Sequence, residues 1–106
     1  MSGANRADSL ARAVAVVRYL LEFGDDGQAV LDETRRILTR ELDERGGAAD
    51  IPWFEPEDSR VDATTVRQAA VTLSKVEELV GPAETRILQD AADVLDDYQA
   101  EMEARA

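Results

Sequence analysis

The chain has 106 residues and a formal net charge of -11, from 23 acidic and 12 basic side chains, with no Cys and no His. That composition excludes disulfides, thiolate metal sites, thiol nucleophiles and imidazole bases. The length is that of one domain, 1–106, and the acidic field opposes nucleic acid and anionic membrane.

Residues 1–6 are small and polar and are expected to form a disordered tail, with Asp8 or Ser9 capping a first helix. Leu10, Val14, Val17 and Leu21 then recur at helical spacing, and Ala13, Val16, Leu20 and Phe23 form a second apolar face beside them. Only Arg12, Arg18 and Glu22 mark a polar stripe, so this helix is expected to be largely buried, within the bundle or in an oligomer. The same charges make the stretch too short and too polar for a signal or a span, and a cytoplasmic protein follows.

Gly24-Asp25-Asp26-Gly27 is a turn. The second helix is predicted from about Gln28 to Arg45, stopping at Gly46-Gly47. Val30, Leu31, Thr34, Ile37, Leu38 and Leu42 form its inner face. Arg35, Arg36, Arg40 and Arg45 lie among Asp32, Glu33, Glu41, Asp43 and Glu44, the pattern of a solvated, ion-paired face.

Ile51-Pro52-Trp53-Phe54-Glu55-Pro56 holds the only Trp and two of the three Pro. Prolines so close together exclude a helix and predict an extended apolar strap between two helical hairpins. Trp53 and Phe54 are expected to plug the end of the core, with anchoring of a partner as the alternative.

Asp62 is placed to cap a third helix whose stripe is Val66, Ala69, Ala70, Leu73, Val76 and Val80. Gly81-Pro82 ends it, with Gly suited to a left-handed cap and Pro to the first turn of the next helix. The fourth helix, predicted from about Pro82 to Ala104, carries Leu88, Ala91, Leu95, Tyr98 and Met102 in 3,4 spacing. Its outer surface carries Asp90, Asp93, Asp96, Asp97, Glu101 and Glu103. Lys75 is the sole lysine among the bases; with many acids and abundant Ala and Val, this suggests a GC-rich or salt-adapted source.

The expected fold is therefore all-α: a four-helix up-down bundle of two hairpins joined by the strap. No residue set stands out as catalytic, cofactor-binding or metal-ligating, and no cofactor is expected. The functional expectation is a non-catalytic protein–protein interaction module, an adaptor or small regulatory subunit, pairing as a homodimer. Its candidate contact residues are Trp53, Phe54, Asp93, Asp97 and Glu101.

Two alternatives remain. The acidic outer face of the fourth helix suits an inhibitor or antitoxin that imitates a phosphate backbone toward a basic partner. The pairs Glu41/Glu44 and Glu55/Asp58 have the ExxE and ExxD spacings that all-α nucleotide pyrophosphohydrolases of the MazG type use to hold magnesium. That resemblance implies a magnesium-dependent nucleotide hydrolase. The chain departs from the pattern at Arg40, which precedes Glu41, and at Pro56, inside the second pair.

Overall fold

A computed structural model describes residues 2–24, 26–44 and 61–105, with side chains from Ser9 onward. These residues form four α-helices packed together, and no strand occurs among them. The helices are α1 (Ser2–Phe23), α2 (Gln28–Glu44), α3 (Ala63–Val76) and α4 (Pro82–Arg105), with a 3-10 turn at Glu77–Leu79 between α3 and α4. Helix α1 packs on α2 and α3, and α4 packs on α3 and α2. The radius of gyration is 12.8 Å, matching the ~13 Å expected for a folded domain of this length. No described helix is long and apolar enough to cross a membrane.

The core follows the predicted periodicities. Leu31, Leu38 and Leu42 of α2, Val66 and Leu73 of α3, and Leu88, Ala91 and Leu95 of α4 are all completely buried. Two hydroxyls accompany them: Thr34 Oγ1 donates to the Val30 carbonyl at 2.8 Å and Thr72 Oγ1 to the Gln68 carbonyl at 3.1 Å. Each buried hydroxyl therefore has an acceptor one turn back, which removes the cost of burying it.

Helix α1 is buried on nearly every side between Leu10 and Leu20, with Arg12 exposed. Its apolar surface thus has a home inside the chain. Asp8 and Ser9 lie within α1 rather than at its cap. Phe23 departs from the expected inner face and is 41% exposed. It falls three helical turns after Arg12, close to that residue's outward direction.

At the other joint, Asp62 caps α3 as expected, accepting from Thr65 N–H at 2.9 Å and Thr65 Oγ1 at 3.0 Å. Those two bonds hold its carboxyl below the ordinary carboxylate range. Gly81 does not take the left-handed cap conformation expected of it; Gly27 is the only described residue with positive φ, at 72°. The 3-10 turn and an extended Val80 (φ -121°, ψ 169°) carry the chain out of α3 instead. Gly81 serves the next helix, its carbonyl accepting from Thr85 N–H at 2.9 Å.

Candidate interaction site

The first hairpin turn is pressed against the C-terminal half of α4. Gln28 Nε2 donates to the Leu20 carbonyl at 3.1 Å and the Gly24 carbonyl at 3.0 Å. Gly24 N–H also donates to Leu20 at 2.8 Å. These bonds satisfy carbonyls that the end of α1 leaves without helical partners. Tyr98 of α4 reaches across: its hydroxyl accepts from Asp26 N–H at 3.1 Å and donates to the Asp26 carbonyl at 3.3 Å.

The glycines permit this approach. A Cβ on Gly24 would collide with the Tyr98 hydroxyl, and one on Gly27 would lie 2.7 Å from Val94 Cγ1. Gly27 also needs its positive φ, which costs a residue with a Cβ about 1–2 kcal/mol.

Beside this joint is a cleft of about 210 Å³ between the C-terminal ends of α1 and α4. Tyr19, Phe23, Tyr98 and Met102 supply its apolar side chains, but most of its lining surface is polar, with Asp26, Glu101 and Arg105 among the contributors. Tyr19 and Phe23 meet with ring centroids 5.1 Å apart at 56°, a tilted aromatic pair. An exposed aromatic among charged neighbours has the composition of a protein contact surface.

Of the residues singled out in the sequence, Glu101 lines this cleft, while Asp93 and Asp97 are exposed on α4. Helical spacing puts Asp90, Asp93, Asp97 and Glu101 on one side of α4, and all four are exposed. Trp53, Phe54 and the rest of the strap lie outside the described residues, as do Glu55 and Asp58.

Glu41 is only 6% exposed, contrary to its assignment to the solvated face, whereas Glu44 is exposed. Glu41 Oε2 lies 3.6 Å from Arg40 Nε, and Arg40 Nη2 lies 2.6 Å from Glu84 Oε2 on α4. The Glu84 hydrogen bond is the first cause raising the Arg40 pKa above its ordinary value. Arg35 and Arg36 both pair with Asp32, at 3.0 and 3.3 Å, as the mixed charges predict. Among the described residues no three acidic side chains come together in a way that could hold a metal ion.

Helical periodicity does not reveal the aromatic cleft, because it places Phe23 inward and Tyr98 in the α4 seam. The pair of glycines three residues apart is the one local feature at this joint, and it shows only a turn until the side chains of α4 are placed against it. Comparisons with family models, with curated proteins and with solved structures find no match.

Proposed function

We propose that the chain is a non-catalytic protein–protein interaction module, an adaptor or small regulatory subunit of the cytoplasm, that pairs with a second copy of itself. The fold in this reading is an up-down bundle of two antiparallel hairpins. Arg40 near the end of α2 meets Glu84 near the start of α4, and Asp26 just before α2 meets Tyr98 near the end of α4, which supports antiparallel packing between the hairpins.

The observation that carries the functional reading is the cleft at the ends of α1 and α4. Phe23 is a large aromatic left substantially open to solvent, in a tilted pair with Tyr19 beside Tyr98 and Met102. Aromatic anchors of this kind dominate the energetics of protein contacts. The surplus apolar surface of α1 no longer argues for a dimer, because the chain buries it internally.

Sedimentation of wild type and Phe23→Ser at moderate salt tests the reading. The wild type should sediment as a dimer of 11.6 kDa protomers at micromolar concentration. Phe23→Ser should shift it to monomer while lowering stability by no more than about 1 kcal/mol. A wild-type monomer at every accessible concentration would remove the self-pairing. The exposed acidic side of α4 favours a second reading, an acidic inhibitor of a basic partner, for which Asp93→Lys with Asp97→Lys abolishes binding and Phe23→Ser does not.

A further inference from the structure

In a chain with almost twice as many acids as bases, one groove has no acid among the described residues that line it. It lies between the N-terminal half of α1 and α3, with a volume of about 510 Å³. That is within the range of small-molecule sites, about 300–1,000 Å³. The charged residues among those described are Arg12 of α1 and Arg67 and Lys75 of α3.

None of these three has a carboxylate within ion-pairing distance among the described residues, whereas Arg35, Arg36 and Arg40 are each paired. Small side chains explain the space: Ala13 and Ala69 are buried in the groove lining, where larger residues would fill it. Val71, 49% exposed, adds an apolar contact surface. Ser9, Thr64 and Gln68 add neutral hydrogen-bonding groups.

We infer that the groove between α1 and α3 binds a small polyvalent oxyanion, an organic phosphate or a polycarboxylate, through Arg12, Arg67 and Lys75. Two guanidinium forks and an ammonium match such groups, and each contact is charge-assisted. The whole-molecule field repels long polyanions. A compact ligand, by contrast, responds mainly to charges within a Debye length, about 8–10 Å at ordinary salt. The apolar wall supplied by Val71 favours a ligand with a carbon skeleton over a bare ion.

The test is a titration of ¹⁵N-labelled full-length protein with sodium pyrophosphate and, separately, sodium citrate, at matched ionic strength against sodium chloride. Saturable shifts should map to residues 9–13 and 64–75, with a dissociation constant below about 1 mM. Saturation with pyrophosphate alone assigns phosphates, with citrate alone polycarboxylates, and with both the shared oxyanion chemistry.

Arg12→Gln and Arg67→Gln should each weaken binding about tenfold, and Arg86→Gln, exposed on α4 away from the groove, should leave it unchanged. Lys75→Gln supplies a further arm if either arginine variant misfolds. Repeating the titration on Phe23→Ser separates this site from self-pairing, since the groove does not involve Phe23. Absence of saturable shifts with either anion, or an Arg86→Gln effect equal to that of Arg67→Gln, overturns the inference.

Discussion

The two hairpin turns both contain glycine and differ in what surrounds it. The α1–α2 turn has glycines at 24 and 27, and both face α4: Tyr98 stands over the first and Val94 over the second. The α3–α4 turn has Gly81, around which a Cβ would meet nothing within 4 Å. The first turn is shaped by a long-range neighbour, the second by the chain's own route from a 3-10 turn into α4. Glycine alone therefore says little; glycine beneath a packed side chain marks a tertiary joint.

The largest effect on this comparison should come from the core side of α4. Leu95 is fully buried and lies next to Val94, whose methyl groups touch the first turn. Leu95→Ala should cost about 2–5 kcal/mol, for lost transfer and the cavity left behind. Denaturant unfolding with an unchanged midpoint would mean that the α4 seam does not carry the bundle.

A direct contrast of the turns comes next. Gly27→Ala should destabilise by about 1–3 kcal/mol, from the left-handed backbone and the Val94 contact together. Gly81→Ala should fall within about 1 kcal/mol of wild type, because its φ is not positive and its surroundings are open. Adding Val94→Ala to Gly27→Ala separates the causes: recovery measures the steric part, and what remains is backbone strain. Equal losses at Gly27 and Gly81 would erase the distinction.

Tyr98→Phe is a finer cut through the same joint. It keeps the ring against Gly24 and removes only the hydroxyl that bridges Asp26 N–H and carbonyl. Because Asp26 is exposed, water replaces the bridge, so the cost should be about 0.5–1.5 kcal/mol. Thermal melts of Tyr98→Phe and wild type check this, and no difference would leave the ring's packing as the sole contribution.

Much of this fold was legible in local pattern. Helix α2 starts at Gln28 as predicted, α4 starts at Pro82, and Asp62 caps α3, because each boundary is written in one or two residues with a specific backbone role. The buried residues Leu88, Ala91 and Leu95 follow from spacing alone. What the sequence hid depends on contacts between distant positions. Tyr98 and Asp26 are 72 residues apart, and Arg40 and Glu84 are 44 apart. No periodicity encodes either pair.

Glu41 is buried for the same kind of reason: a charge beside Arg40 looks solvated until the packing around it is known. The basic groove was invisible too, since Arg12 and Arg67 lie on different helices and meet only when α1 packs on α3. Gly81 shows the opposite case, a strong local signal overridden by the 3-10 turn before it.

The smallest predicted effect concerns the start of α3, where the stabilising contact is local. Asp62 accepts two hydrogen bonds from Thr65, and its folded pKa is lowered by them. A carboxylate depressed in the folded state adds stability above its unfolded pKa, about 3.9. That contribution is lost as pH falls through the lower folded value. The window therefore lies below about pH 4–5, and nothing at this site should change between neutral pH and that point.

Asp62→Asn isolates the effect. Asn still accepts from Thr65 as a helix cap but does not titrate. The other acids contribute almost identically to both proteins, so the difference in unfolding free energy reports Asp62. Wild type should hold an advantage at pH 7 that shrinks by pH 3. A gap of the same size at both pH values would show that the cap acts through geometry alone. A gap that widens in acid would have the wrong sign for a depressed carboxylate and would remove Asp62 from the pH response.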